Sequence, residues 1–185
     1  MLVYSMGTTV DGFITDREGD FGWGAPSEEQ FRFHVEEVRK LGAVICGRRL
    51  YETMLVWETD PAMRNTDLDI AFADIWAAIP KVVFSRTLDR VEGNARLAER
   101  PLAEEIAATL AATDGEVEIG GATLAAQAIE GGLVDEVRIF RSPVIVGGGT
   151  PFFPPVAERI PLELVETRTF ADRVVFERYR RATES

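Results

Sequence analysis

Short apolar runs alternate with stretches of helical periodicity along most of the chain. The apolar runs predict strands over residues 1–6, 43–46 and 80–84, and the alternation of acidic and branched apolar residues over 116–119 predicts a half-buried strand. Apolar residues at helical spacing predict helices over 27–42, from 48 onward, and over 68–78, 101–112 and 122–129. Ser27 is a suitable N-cap for the first helix, and Gln30 completes a capping box with it.

The alternation of strands with helices indicates an α/β fold whose central strands run parallel. Two alternating segments, 162–170 and 173–179, predict a closing hairpin that adds antiparallel strands at one edge. We therefore expect a mixed, mostly parallel central sheet flanked by helices. No repeat or long linker interrupts the sequence, so residues 1–181 are expected to form a single domain and 182–185 a short tail.

Charge limits the classes of partner that this chain can bind. Its 185 residues carry a net charge of −11, from 20 basic and 31 acidic side chains. Such a surface repels phosphate backbones and anionic lipids, which disfavours nucleic-acid and membrane partners. The single cysteine, Cys46, lies in an apolar run and has no internal partner for a disulfide, so we expect a buried thiol and a cytoplasmic protein. No metal site is expected.

In open α/β sheets, ligands bind beyond the carboxyl ends of the strands, so the residues after each strand are candidates for a binding site. At "CGRRLYE", Arg48 and Arg49 lie where a helix begins, and an anion there would meet two guanidinium groups and free backbone N–H groups. At "VVFSRT", Phe84 could lie against an adenine while Ser85 and Arg86 hold a phosphate. The alternative for the first pattern is a glycine turn followed by two solvated arginines, and a Ser-Arg pair after a strand is more often a surface feature.

Two further strand ends carry glycine. Gly120 and Gly121 separate a strand from a helix, and their lack of a Cβ would let a pyrophosphate approach the backbone. A tight turn is the alternative. After the first strand, Gly7 could let a nicotinamide ring lie against the backbone, and Asp11 is either a functional carboxylate or part of an Asp-Gly turn. Three candidate anion sites suit a dinucleotide with an extra phosphate, and the arginines favour NADPH over NADH.

In chain order, the segments "TTVDGFI", "GRRLYE", "FSRT", "IGGATL" and "PVIVGGGTPFF" resemble motifs of the dihydrofolate-reductase-like superfamily. The branch most similar is the C-terminal reductase domain of bifunctional riboflavin-biosynthesis deaminase-reductases, and the likeness spans residues 1 to about 180. The resemblance implies a dihydrofolate-reductase-like three-layer fold and a homodimer. It also implies an NADPH-dependent reductase that transfers hydride to a C=N or C=O bond of a small planar heterocycle, as 5-amino-6-(5-phosphoribosylamino)uracil reductases do.

The resemblance also implies positions for the cofactor. The phosphates would face Gly47, Arg48 and Arg49. The adenosine end would face Phe84, Ser85 and Arg86, the pyrophosphate Ile119, Gly120, Gly121, Ala122, Thr123 and Leu124, and the nicotinamide Gly7, Thr8 and Ile14. Leu50 departs from the pattern, which usually has threonine there, so a hydroxyl contact to phosphate is lost and Arg49 is expected to compensate.

The substrate side departs further from the pattern. Dihydrofolate reductases place an acidic residue on the first helix, and that position falls at or near Phe31, whereas the threonine that partners the acid has a counterpart in Thr150. The proton donors that remain are Asp11 and His34, with His34 expected on the same helical face as Phe31. The aromatic side chains expected either to form a wall against a flat substrate or to belong to the core are Trp23, Phe31, Tyr51 and Trp57.

Two other functions fit the same residues. The missing helix carboxylate is compatible with a nucleotide-binding accessory or sensor protein without turnover, or with a dihydrofolate reductase whose proton donor has changed. The deaminase half of the bifunctional enzymes needs a His/Cys/Cys zinc site, and a chain with one cysteine and no His-x-Glu is not expected to have deaminase activity.

Overall fold

The computed structural model describes residues 1–182, and residues 183–185 of the expected tail lie outside the described residues. The strands are β1 (Leu2–Thr9), β2 (Phe13–Thr15), β3 (Leu41–Gly47), β4 (Lys81–Phe84), β5 (Ala95–Leu97), β6 (Glu116–Gly120), β7 (Glu136–Ser142), β8 (Thr150–Pro151), β9 (Leu162–Thr169) and β10 (Val175–Arg181). The helices are α1 (Glu28–Val38), α2 (Arg48–Met54), α3 (Val56–Thr59), α4 (Asp67–Ala78), α5 (Leu102–Ala111) and α6 (Ala122–Glu130), with short 3-10 turns at Gly22–Gly24 and Pro61–Met63. Over the range that the structure describes, no helix has the length and apolar character that a membrane crossing requires.

Eight strands form one sheet in the order β5-β4-β3-β6-β1-β7-β10-β9. The first six strands in this order, β5, β4, β3, β6, β1 and β7, pair parallel with one another. β10 pairs antiparallel with both β7 and β9. β2 and β8 form a separate two-stranded ladder. The predicted mixed, mostly parallel sheet with a C-terminal antiparallel hairpin is therefore confirmed.

Helices cover both faces of the sheet and give three layers. On one face, α5 and α6 bury Ile106, Leu124 and Ala125 against alternate residues of the central strands. On the other face, α1 and α4 bury Val35 and Phe72 against β3 and β4. Every second residue of a strand faces the same layer, so the near-continuous apolar runs of β3 and β4 reflect burial on both sides.

Some element bounds differ from the sequence prediction. α1 ends at Val38 rather than near residue 42, because the backbone N–H groups of Arg39 and Lys40 close the last turn on Val35 and Glu37. The chain then enters β3 at once, at Leu41. β5 was not predicted, since its three residues form no apolar run.

A charged cluster is buried between α1 and the sheet; we call Glu37, Glu116, Glu136, Arg138 and Arg178 the buried charge cluster. Arg138 is 2% exposed and lies at its centre. Its guanidinium nitrogens are 2.9 Å from Glu37 Oε2, 2.8 Å from Glu116 Oε2 and 2.6 Å from Glu136 Oε1. Each charge depends on the others, because a charge removed from water needs a partner to offset its lost hydration.

β9 forms one edge of the sheet and exposes most of its side chains. Leu164 and Val165 are among its exposed apolar residues. The unpaired backbone groups of an edge strand can pair with another chain. The homodimer that the resemblance implies nevertheless stays a prediction.

Candidate active site

Six neighbouring strands of the sheet run parallel (β5, β4, β3, β6, β1 and β7), so their carboxyl ends lie at one edge of the sheet. In the ladders, Gly47 pairs with Phe84, and Cys46 pairs with Gly120 on the other side of β3. β1 lies next to β6 and continues past it toward Thr9. The structure therefore brings the strand ends that sequence analysis selected into one continuous edge, which we call the carboxyl edge.

The two glycines before α6 have different reasons to lack a side chain. A Cβ on Gly120 would overlap Leu50 Cδ2, so the Leu50 side chain takes that space. Gly121 has a φ of +89°, which L-residues rarely adopt, and a Cβ there would meet only Gly47 N, at 3.9 Å. Packing therefore accounts for Gly120 without any ligand, and only Gly121 leaves open backbone at the start of α6.

Because Leu50 fills the space above Gly120, the two positions should be energetically coupled. Gly120→Ala should lower the free energy of unfolding by about 1 kcal/mol, the low end for an overpacked methyl group, since it displaces only the end of the half-buried Leu50 side chain. Leu50→Ala should remove most of that cost in the double variant. Urea denaturation of the two single variants and the double variant gives the coupling energy. Gly24→Ala is the matched control, because a Cβ there meets nothing within 4 Å; strictly additive effects at positions 50 and 120 would refute the packing.

The loops after β3 and β4 carry the candidate phosphate ligands. Arg48 Nη1 donates to Thr87 Oγ1 at 3.0 Å and ties the two loops together. Ser85 Oγ accepts from the N–H groups of Thr87 and Leu88 at 3.1 and 3.0 Å, so its hydroxyl first shapes its own turn. Arg49 and Arg86 are exposed, and within residues 1–182 neither forms an ion pair. These two guanidinium groups are therefore available to bind an anion.

The end of β1 leaves open backbone beside β7. Gly7 is exposed, and a Cβ there would meet only Phe140 O, at 3.9 Å. Thr8 is buried, and its hydroxyl donates to Phe13 O at 3.2 Å. Ile14 packs against the core beneath. A flat ring can thus approach the backbone at Gly7, while the Thr8 side chain belongs to the β1–β2 turn.

Asp11 fastens a loop to the end of β1. Its carboxylate accepts from Val146 N at 3.3 Å and from Gly147 N at 2.8 Å. The Thr9 hydroxyl and these backbone N–H groups hold the pKa of this exposed carboxyl below its usual range. Asp11 is therefore ionised at neutral pH, which suits a loop anchor and leaves it no proton to donate.

His34 points at the sheet from the middle of α1. Its ring centroid lies 4.2 Å from that of Phe140, and its Nε2 is 3.2 Å from Gln30 Nε2. Burial lowers the pKa of His34 to about 4, so the ring is neutral at pH 7. Phe31 and His34 lie three residues apart on α1 but contact different elements: Phe31 packs toward α3 and α4, against Trp57 and Phe72, whereas His34 contacts β7.

The aromatic residues predicted to line the substrate do not form one wall. Phe31 and Trp57 stack at 5.7 Å and line an open cleft of about 1000 Å³ between α1 and α4. Tyr51 is buried, and its hydroxyl is engaged with the backbone of Glu92. Trp23 lies in the turn before α1, where its Nε1 is buried without a hydrogen-bond partner.

Thr150, the predicted partner of a helix carboxylate, lies in the β2–β8 ladder. Its Oγ1 accepts a hydrogen bond from Thr15 Oγ1 at 3.1 Å. The hydroxyl therefore joins two strands of the ladder. This contact supports the loop region beside β1 and gives no link to α1.

The arrangement of strands and loops matches a known family over nearly the whole chain. The family model of the RibD C-terminal domain matches residues 1–176. The chain belongs to the RibD C-terminal domain family. A relative of this RibD C-terminal domain is the uncharacterised protein YyaP of Bacillus subtilis (strain 168), which is 29% identical over 178 residues, covering 94% of this chain and 91% of YyaP.

Solved structures show the fold of this RibD C-terminal domain. A candidate riboflavin biosynthesis protein from Shewanella sp. PV-4 superposes with a TM-score of 0.79 at 21% identity, covering 98% of this chain and 99% of that one. Dihydrofolate reductase from Enterococcus faecalis, complexed with NADP(H) and RAB-propyl, superposes with a TM-score of 0.64 at 19% identity, covering 99% of this chain and 97% of that one. The predicted dihydrofolate-reductase-like fold is confirmed, and the family supports a reductase of the riboflavin-pathway type.

Two polar residues of this RibD C-terminal domain, the buried Gln30 and the half-buried Glu118, were not selected from the sequence. Gln30 was interpreted only as part of a capping box, yet its side chain is buried and turned inward, and only the half-box from its N–H to Ser27 Oγ forms. Glu118 lies on β6 between Val3 and Val44, facing the buried charge cluster. The alternation of Glu116, Val117, Glu118 and Ile119 is typical of a half-buried strand, so the sequence carries no signal for an inward-facing Glu118.

Proposed function

We propose that this chain is an NADPH-dependent reductase that transfers hydride to a C=N or C=O bond of a small planar heterocycle, of the 5-amino-6-(5-phosphoribosylamino)uracil reductase type. The observation that supports it is the carboxyl edge. Exposed backbone at Gly7, the start of α6, and two arginines that form no ion pair within residues 1–182 lie there along neighbouring strands.

The residues present fit this cofactor. α6 begins at Ala122 with no side chain capping its N-terminus, so its backbone N–H groups can donate to a pyrophosphate. α1 and α4, by contrast, are capped by Ser27 and Thr66. Arg49 and Arg86 would hold the phosphates, and the backbone at Gly7 would support the nicotinamide. Bound NADPH supplies the hydride.

The protein's own groups would orient the reactants. Asp11 would keep the loop at 146–147 against the end of β1, and His34 would position Gln30 over the same region. At neutral pH Asp11 is ionised and His34 is neutral, so we propose positioning roles for both. The placement of a substrate ring against the nicotinamide would supply the rate enhancement that orientation gives.

A binding experiment tests the cofactor. NADPH should bind more tightly than NADH, and the Arg49→Ala/Arg86→Ala double variant should weaken NADPH binding about tenfold or more, since charge-assisted contacts to phosphate are lost. Titrations followed by nicotinamide fluorescence measure both. Arg39→Ala/Arg159→Ala is the control, because it removes the same charge from exposed positions that lie off the carboxyl edge. No binding by the native protein, or an equal loss in the control, would refute the proposed cofactor site.

The second candidate function is a nucleotide-binding accessory protein without turnover. It is favoured by Phe31, which stands where a helix carboxylate was expected and stacks on Trp57. One assay distinguishes the two functions. Oxidation of NADPH by a pyrimidine, pterin or flavin-related compound above the background rate supports the reductase, and saturable NADPH binding without turnover across these three classes supports the accessory protein.

A further inference from the structure

A cavity lies away from the carboxyl edge, between the end of α6, the start of β7 and the segment that joins β8 to β9; we call it the α6 cavity. Its volume is about 290 Å³, near the lower limit of pockets that hold small ligands. α6 begins at the carboxyl edge, and Ile129 of its last turn lines the cavity, roughly 10 Å further along the helix axis. The α6 cavity is therefore separate from the proposed cofactor site.

The walls of the α6 cavity are apolar from the floor to the mouth. The buried side chains that form its floor are Ile129, Val134 and Val137. The exposed side chains that form its mouth are Phe153, Val156 and Leu162. Walls of this kind offer water few hydrogen-bonding partners, so a hydrocarbon group is favoured there over water.

Two charged residues also line the α6 cavity, and they differ in what they contact. Asp135 joins the ends of two strands: its Oδ2 accepts from Leu2 N at 2.7 Å, and its backbone O accepts from Arg181 N at 3.1 Å. Within residues 1–182, the exposed Arg181 guanidinium forms no ion pair and no hydrogen bond. It lies beside Gly132, where a Cβ would be 2.7 Å from Arg181 Nη1. The cavity thus combines hydrocarbon walls with a cation that the described fold leaves without a counter-ion.

We propose that the α6 cavity binds an aliphatic carboxylate, with its alkyl chain on the apolar floor and its carboxylate on Arg181. A guanidinium group donates two parallel N–H···O bonds to a carboxylate. The floor side chains are only 5–8% exposed, so the way to them is narrow, and it suits an alkyl chain better than a helix or strand of another protein. No group of the carboxyl edge takes part, so this site is additional to the proposed function.

A chain-length series tests the apolar floor. Each buried methylene group should raise the affinity about fourfold, so octanoate should bind about fifteenfold more tightly than hexanoate in a calorimetric titration. Octanoate should also bind about tenfold more tightly than 1-octanol, which has the same chain without the charge. Octylammonium should bind more weakly than either, because it brings a second cation to Arg181.

Two variants test the charged end. Arg181→Met should lower the affinity for octanoate about tenfold and leave 1-octanol binding unchanged. Arg90→Met is the matched control, since it removes an exposed arginine that does not line the cavity. Leu162 pairs with Arg181 across the β9–β10 ladder, so Leu162→Glu places a competing carboxylate beside the guanidinium and should abolish octanoate binding. Its melting temperature should stay near that of the native protein, because the leucine is already exposed.

The same titrations can refute the site. No octanoate binding by the native protein, unchanged binding in Arg181→Met, or tighter binding of octylammonium, which would favour Asp135, would each overturn the proposal. Self-association in sedimentation that Leu162→Glu abolishes, without octanoate binding, would instead assign this face to a second copy of the chain. NADPH binding should be equal in the native protein and in all three variants, so the proposed cofactor is tested separately.

Discussion

Replacement of Arg138 by methionine should lower the free energy of unfolding by about 3–5 kcal/mol, the usual cost of breaking a buried ion pair from one side. The variant leaves Glu37, Glu116 and Glu136 facing one another, and the cations that still contact them are Lys40, Arg178 and Arg180. Domains of this size are stable by about 5–15 kcal/mol, so the variant should lie near the limit of folding. Urea denaturation of the purified protein measures the loss.

Two further variants serve as controls: one retains the charge at position 138, and the other removes an arginine from the surface. Arg138→Lys retains the charge but not the forked contacts, and it should fold with an intermediate loss. Arg32→Met removes an exposed arginine that pairs with Glu28 on the surface of α1, and it should cost less than about 1 kcal/mol. A loss at Arg138 no larger than that at Arg32 would show that the buried charge cluster does not stabilise the fold.

Replacement of Glu118 by glutamine should stabilise the protein above pH 7 and leave it unchanged below about pH 4.5. Burial, with smaller contributions from Glu116 and Glu37, raises the pKa of Glu118 from 4.5 to about 7, although Arg138 acts in the opposite direction. Between these values the folded chain holds a proton that the unfolded chain has released. Stability therefore falls as the pH rises through this window. At about 1.4 kcal/mol per pH unit, this window sets an upper bound of about 3 kcal/mol on the cost above pH 7, and water at the half-buried side chain reduces it.

The measurement is the pH dependence of the free energy of unfolding for the native protein and Glu118→Gln. The two curves should coincide at acid pH and separate as the pH approaches neutrality, with the variant more stable. Glu130→Gln, at the exposed end of α6, is the control and should run parallel to the native protein. Parallel curves for Glu118→Gln would contradict a raised pKa for this carboxyl.

Most of the fold could be predicted because its main signals are local. Buried parallel strands require apolar runs, and helices between two layers require apolar residues at helical spacing, so β3, β4, α4 and α5 follow from the sequence. β5 could not be predicted: three residues with Arg96 at their centre gain their strand conformation only by pairing with β4. Long-range pairing of this kind leaves no local pattern.

The site could be predicted to the level of the strand ends but not of the side chains. Parallel strands place Gly47, Phe84 and Gly120 at one edge whatever their neighbours are. The direction of a side chain depends on what packs against it. Phe31 packs on Phe72 of α4, and the Tyr51 hydroxyl donates to the backbone carbonyl of Glu92. Gln30 fits a capping pattern, and only the packing of α1 shows that its amide points inward.

The contact between Leu50 and Gly120 has a consequence for the divergence of the family. Position 120 cannot change freely while leucine stands at position 50, because any side chain at 120 competes with the leucine for the same space. In related chains that keep leucine at position 50, position 120 should therefore remain glycine. Chains that shorten residue 50 should be the ones that tolerate alanine or serine there, so that the two positions are inherited as a linked pair.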